Sequence, residues 1–499
     1  MDPVLTTFAL YIIGMMVIGY YFYRKNQNTS DYFLGGRSLN PQVTALSAQA
    51  SDMSGWLLMG FPGAVYAGGF NAMWIGIGLA IGTFLNWQFT ASRLRYYTEV
   101  VDAITLTDFF ENRFRDDSRA LRIVTGLVIL IFFTIYVSSG LVAGGTLFEN
   151  ILGIDYNLAV YLSVLIIGLY TFMGGFLAVS WSDFVQGTLM FLALIIVPVA
   201  VIFNMGGLGE LWSSLSQVNP DLLYVFRTVE FNPGAGSIWQ STEAGFSAIE
   251  LISLLGWGLG YFGMPHILVR FMSIEDGEQL PVSQFIGVTW VVITLIGAVF
   301  VGIIGIVTFS EPLANSETVF LELLRYVFNP WLGGIFLAAV LAAIMSTVDS
   351  QLLVSSSALT EDFYKAFFRR NASDRELLMV SRGSVVLITL IALYFAMTGG
   401  TILEIVSYAW AGLGASFGPA VLFSLYWKRT SKYGALAGII VGGATVIIWN
   451  NFFAFTGLYE IIPGFMLSSA VILVISYLGP EPEEEIKEEF AEVKKLARD

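Results

Sequence analysis

The sequence predicts an all-α polytopic membrane protein of about thirteen transmembrane helices, with a core of two five-helix halves in opposite orientation. Three features carry this expectation: long apolar runs almost free of charge, an alternating placement of Lys and Arg, and two interrupted runs that lie five apart.

The chain has 499 residues, 56% hydrophobic and 12% charged, against about 25% charged in a soluble domain. Runs of membrane-spanning length lie at approximately 4–24, 43–66, 72–92, 119–148, 157–177, 182–205, 243–268, 281–308, 332–357, 378–398, 402–426, 433–454 and 460–478. With the N-terminus outside, every Lys and Arg of the 24 except Arg227 and Arg325 falls on the inner side. A miscounted helix would scramble that alternation, so the positive-inside rule supports thirteen helices, N-out and C-in. Residues 1–478 form one transmembrane domain. Its core repeats lie at approximately 43–205 and 243–426, with 4–24, 433–454 and 460–478 peripheral. Residues 479–499 read as an acidic, solvated cytoplasmic tail. The outer loop 206–242, which carries the Pro/Gly break NPGAGS, is expected to fold over the external mouth, and 98–117 to lie amphipathically at the inner interface.

Composition also excludes functions. With no cysteine there is no disulfide, thiolate metal site or thiol nucleophile. The single histidine, His266, forms no multi-His metal site. A net charge of −14 offers nothing to a phosphate backbone, so no nucleic-acid partner is expected. No catalytic triad or phosphate loop is present, and the reading is not an enzyme.

The second run, VTALSAQASDMSGWLLMGFPGAVY, places Asp52 among Ser, Gly and Ala. A buried charge costs about 2.5–3.5 kcal/mol on insertion scales, and these small residues do little to offset it. Such a segment lines a cavity and breaks at mid-membrane, where freed carbonyls meet a ligand. The seventh run repeats the pattern in LLGWGLGYFGMPH, Leu254–His266. An odd offset between two broken helices means that they cross in opposite directions, as in inverted-repeat transporters. Gly63, Gly68 and Gly174 read as packing residues, whereas Gly55, Gly258 and Gly260 read as functional.

In the ninth run, Ala343, Ser346 and Thr347 share a helix face. Two hydroxyls and a carbonyl from that face, joined by carbonyls of the broken second helix, suit a small monovalent cation. Trp56, Tyr136, Trp257 and Tyr261, near the breaks, offer ring faces for a solute ammonium or an apolar body. Asp183 and Asp349 are candidates for the inner pathway. His266 reads as packing, and Arg37 as a partner for an inner carboxylate.

The blocks DYFLGGRSLNPQVTALSAQASDMSGWLLMGFPGAV, GGFLAVSWSDFVQ, LLGWGLGYFGMPHILVRFM, LAAIMSTVDSQLL, SSALTEDFYKAF, SYAWAGLGASFGPAVLFSLYWKR and LYEIIPGF resemble the sodium/solute symporter family nearly end to end, and its bacterial proline-transporting members most. The resemblance implies a LeuT-like core and inward Na⁺-coupled transport of L-proline across a bacterial inner membrane, by alternating access and without an organic cofactor. It implies Na⁺ ligation by Ala50, Met53, Ala343, Ser346 and Thr347. A solute region at Asp52, Ser54, Gly55, Trp56, Tyr136, Trp257, Tyr261 and Pro265 is implied too, with Arg37 and Asp183 in the inner pathway. L-proline and membrane lipid are then the expected partners. The alternatives are another small solute on the same fold (a different amino acid, a vitamin acid or a sugar) and a non-transporting sensor.

Overall fold

The computed structural model describes residues 2–23, 29–173, 175–234, 238–242, 245–309 and 311–497. Gly174 lies outside them. Among the described residues every apolar run forms helix, the second and seventh with a break, as a backbone in hydrocarbon must satisfy its own N–H and C=O groups. α1 (Pro3–Tyr23) is followed by the short α2 (Thr29–Leu34). The second run divides into α3 (Pro41–Asp52) and α4 (Phe61–Gly68). α5 (Met73–Asn86) passes through a π-helical turn, Trp87–Ala91, into α6 (Ser92–Val100), and α7 (Leu106–Arg113) follows. α8 (Ala120–Leu152), α9 (Tyr156–Met173) and α10 (Phe176–Asn204) complete the first half.

An excursion then holds α11 (Leu208–Val218) and a hairpin of β1 (Val229–Phe231) and β2 (Trp239–Ser241), with Phe231 opposite Trp239. The second half contains α12 (Ala248–Leu255), α13 (Pro265–Ser273), α14 (Leu280–Thr308), α15 (Val319–Val327), α16 (Pro330–Ser357), α17 (Asp374–Ala396) and α18 (Ile402–Tyr426). α19 (Lys432–Phe452), α20 (Ile461–Leu478) and α21 (Glu484–Leu496) close the chain. We call the end carrying the excursion outer and the opposite end inner.

Among the described residues ten helices are long and apolar enough to cross a membrane, or eleven with the bent α12–α13 pair taken as one. That count takes Trp56–Val100 as a single helix, although Gly69 (φ 71, ψ −150) interrupts it, and sets aside the shorter Tyr156–Phe172.

α16 is the axis of the bundle. Every residue from Phe336 to Leu353 is buried, the pattern of a helix surrounded by protein on all sides. It packs against α1, α8, α10 and α3. The excursion closes over the outer end of α4: Trp239 Nε1 donates to the Tyr66 carbonyl (2.8 Å) and Trp74 Nε1 to that of Val225 (2.9 Å). Of the NPGAGS segment, Ala235, Gly236 and Ser237 lie outside the described residues. At the inner end, Arg122 gathers Asp108 (2.6 Å), Glu111 and Asp362 (2.7 Å) from two other segments.

The tail differs from expectation. Residues 484–496 form a helix whose Ile486 and Val493 are buried, docked against α6. Arg115 pairs with Glu485 and Glu489, and Arg113 lies over the Phe490 ring. Charge composition hid an amphipathic period, with apolar residues at 486, 490 and 493.

On the outer side, Glu317 accepts hydrogen bonds from the amides of Ile402 (2.9 Å) and Leu403 (3.0 Å), the first residues of α18. Burial pushes its carboxyl above the usual range, and the two amides pull it back. A carboxylate on a helix N-terminus is favourable. The broken second helix packs against the backbone of the same residue, for a Cβ on Gly63 would lie 2.9 Å from Glu317 Cα. Glu317→Ala is expected to lower stability by about 1–3 kcal/mol, measured as thermal unfolding in detergent, with Glu317→Gln recovering part of the loss. An unchanged transition in Glu317→Ala would contradict this.

Candidate functional site

The two breaks are local consequences of sequence. α3 ends at Asp52 because Met53 leaves helical geometry (φ −82, ψ 78), and the chain re-enters through the π-helical segment Trp56–Gly60. The second break is a 3₁₀ segment, Gly256–Gly263, then extended Met264 (φ −90, ψ 102) and Pro265 at the first turn of α13. The two helices around it are bent by 47°. Proline opens a helix readily and cannot continue one.

Around the first break, neutral oxygens converge. Ser346 Oγ donates to the Ala50 carbonyl (2.7 Å) and approaches that of Ala343 (3.1 Å), and Thr347 Oγ1 reaches Ala50 O at 3.3 Å. A hydroxyl has one hydrogen, so Ser346 shares it between two acceptors. Ala50, Met53, Ala343 and Ser346 are fully buried, and Thr347 nearly so. Among the described residues no three His, Asp or Glu side chains are placed to hold a metal ion; what gathers here is uncharged oxygen, suited to a small monovalent ion rather than a multivalent one.

Beside these oxygens lie the aromatics. Tyr261 Oη donates to Asp52 Oδ2 (2.6 Å), and Trp56 Nε1 reaches the Asp52 carbonyl (3.3 Å). The Trp56 and Trp257 rings lie 6.4 Å apart. Trp56 N–H donates to Ser54 Oγ (3.3 Å), and Tyr136 stands beside both residues. Trp410, which the sequence did not single out, anchors the second break: its Nε1 donates to the Trp257 carbonyl (2.8 Å) and its ring meets Tyr261 edge-on at 5.1 Å. Pro265 stands apart from this group, lining a small inner crevice with Ile129 and Leu353. On the outer side, a cavity of about 420 Å³ reaches Trp257, between Glu317, Ser407 and Tyr459.

The glycines expected to be functional have a packing reason. A Cβ on Gly55 would lie 2.8 Å from Ala143 Cβ, one on Gly258 2.2 Å from the Gly78 carbonyl, and one on Gly260 1.9 Å from Trp410 Nε1. Close helix approach is what excludes a side chain at these three positions.

The inner candidates are distributed differently from expectation. Asp183 is fully buried; its Oδ2 accepts from Ser47 Oγ (2.7 Å) and from Arg270 Nη2 (3.1 Å). Arg270 donates further to Ser47 Oγ, the His266 carbonyl (2.7 Å) and Ser350 Oγ (2.6 Å), and Ser350 donates to the Ser346 carbonyl (2.8 Å). Arg270 is thus the carboxylate's partner, not the loop charge that a positive-inside count makes of it. The signal was there: an arginine within HILVRFMS, an otherwise apolar helix face.

Among the described residues Arg37 pairs with no carboxylate. It donates to the carbonyls of Met272 (2.6 Å), Thr98 (3.0 Å) and Ala103 (2.8 Å), stapling three inner segments. Asp349 is fully buried, with Thr171 of α9 against one oxygen. His266 packs as expected, between the rings of Phe133 and Tyr136.

One broken helix meeting the central helix α16 at uncharged oxygens, with a second broken helix bringing its aromatic rings beside it, defines an inverted-repeat carrier whose transport is coupled to an ion. The chain belongs to the sodium:solute symporter family, whose model matches residues 32–442. It is 49% identical over 499 residues to the sodium/proline symporter of Escherichia coli (strain K12), covering 98% of this chain and 96% of that one. It is 46% identical to the osmoregulated proline transporter OpuE of Bacillus subtilis (strain 168), covering 99% of each. Its fold matches a Na⁺-coupled sialic acid symporter solved in a substrate-bound outward-open state, with a TM-score of 0.78 at 18% identity over 96% of this chain and 99% of that one.

Proposed function

We propose that this protein couples inward Na⁺ movement to uptake of L-proline by alternating access, as a thirteen-helix, N-out carrier of a bacterial cytoplasmic membrane. The observation that carries the reading is the convergence of Ser346 and Thr347 on the Ala50 carbonyl. It joins the broken second helix to the central helix α16 through oxygens that a Na⁺ ion would gather, with Met53 and Ala343 completing the set. Full-length relatives named for proline supply the solute.

In this mechanism Na⁺ arrives through the outer cavity and ties α3 to α16. That fixes the adjoining turn Ser54–Trp56, and with it the pocket floor. The proline carboxylate meets amides freed at the start of the second half-helix. Its ammonium and pyrrolidine ring lie against Trp56, Trp257 and Tyr261. Asp52, held by Tyr261, shapes the break rather than gripping the ion. Linkage makes the coupling reciprocal: the factor by which Na⁺ tightens proline is the factor by which proline tightens Na⁺. No chemical step is involved, and no organic cofactor enters.

The experiment is uptake of labelled proline by proteoliposomes with and without an inward Na⁺ gradient, against competing amino acids and sugars. Gradient-driven accumulation blocked by unlabelled proline is the expected result. Proline flux indifferent to Na⁺, or accumulation of a different solute, would refute the reading.

A further inference from the structure

The sequence placed the runs at 433–454 and 460–478 on the periphery, yet the turn between them reaches the solute pathway. Tyr459, at the end of that turn, is fixed at both ends. Its hydroxyl donates to the Ser407 carbonyl on α18 (2.7 Å). Its backbone N–H donates to Ser253 Oγ on α12 (3.0 Å), and the Ser253 hydroxyl in turn donates to the Gly457 carbonyl (3.1 Å). Trp449 Nε1 braces the same turn at the Leu458 carbonyl (3.0 Å).

The Tyr459 ring lies over Trp257, with centroids 5.5 Å apart and planes 31° from parallel, and Trp257 lies 6.4 Å from Trp56. Three rings thus run in a row from the first break, across the second, to the α19–α20 turn. The rings of Trp56 and Tyr459 flank the Trp257 indole on its two sides. Tyr459 and Trp257 also share the wall of the 420 Å³ outer cavity, the face from which a solute arrives.

We propose that Tyr459 is a positioning residue for the solute pocket: packed against Trp257, it holds that indole against Trp56, forms the outer wall of the pocket, and so sets affinity and tolerated ring size. The proposal rests on the proline reading above. An offset aromatic pair is worth up to about tenfold in an equilibrium, and the effect belongs in KM because the contact shapes binding.

The test is proline uptake at saturating Na⁺ by proteoliposomes of wild type, Tyr459→Phe and Tyr459→Ala. Tyr459→Ala is expected to raise KM about three- to tenfold with Vmax nearly unchanged, and to let the six-membered-ring homologue of proline compete better. Tyr459→Phe, which keeps the ring contact and loses only the hydroxyl, is expected to retain a KM near wild type. If Tyr459→Ala is not recovered as folded protein, Tyr459→Leu, bulky but without a ring, takes its place under the same criteria. A folded Ala or Leu variant with unchanged KM, a change confined to Vmax, or a Phe variant as impaired as Ala would overturn the assignment. Wild-type protein without Na⁺-driven proline uptake would overturn the functional reading instead, a distinguishable outcome.

Discussion

Replacing Thr347 or Ser346 by Ala should raise the Na⁺ concentration for half-maximal proline uptake by about tenfold or more, since a polar contact to a charged group is worth roughly 1.5–3 kcal/mol. The side chains converge on one carbonyl, Ala50 O, at 2.7 and 3.3 Å. Each substitution therefore removes one oxygen from the meeting of α3 and α16. The helix itself should tolerate the change, because Ala is the best helix former and each lost hydroxyl bonded across the interface. Reciprocity sharpens the test. A weakened Na⁺ site must weaken proline binding at limiting Na⁺ and spare it at saturating Na⁺. Uptake measured over a Na⁺ series at two proline concentrations reads both. Unaltered Na⁺ activation in both variants would remove these hydroxyls from the coupling site.

Arg270→Met should be more damaging still, to the protein rather than to the ion site. Arg270 and Asp183 have no solvent exposure, and the guanidinium also serves Ser47, Ser350 and the His266 carbonyl. Removing one partner of a buried pair costs about 3–5 kcal/mol because the other charge is left without compensation. Folded yield and unfolding temperature in detergent are expected to fall sharply. The double variant Asp183→Asn with Arg270→Gln leaves no charge stranded and should recover much of the loss. A stable single variant, or a double variant no better than the worse single, would show that the pair is not held together as a unit. Because Ser350 links the pair to the Ser346 carbonyl, the rescued protein also tests whether Na⁺ activation depends on this inner brace.

The fold was legible because the bilayer acts on each segment alone. Twenty apolar residues must be helical wherever they occur, and a stretch with Ser, Gly and a carboxylate must break or line a cavity. Hence the second and seventh runs declared their interruptions, and the Ser346–Thr347 face announced an oxygen donor set. Partners were another matter. Arg37 and Arg270 are both basic residues near an inner boundary in the sequence, yet one binds three carbonyls and the other holds a buried aspartate. The tail at 484–496 looked solvated from its charge, and its docking required the basic residues 113 and 115 on the inner face.

The sequence by itself determined the membrane class, the places where helices break, and the residue types that offer oxygen and ring faces. Each follows from the solvation of one segment. Only the tertiary structure decided that Asp183 belongs to Arg270, that Glu317 seats on the first turn of α18, and that Tyr459 from the outermost hairpin completes an aromatic row. Those pairings join residues 85 to more than 200 positions apart. Which distant side chain fills a given space is fixed by how helices pack, and no local pattern encodes it.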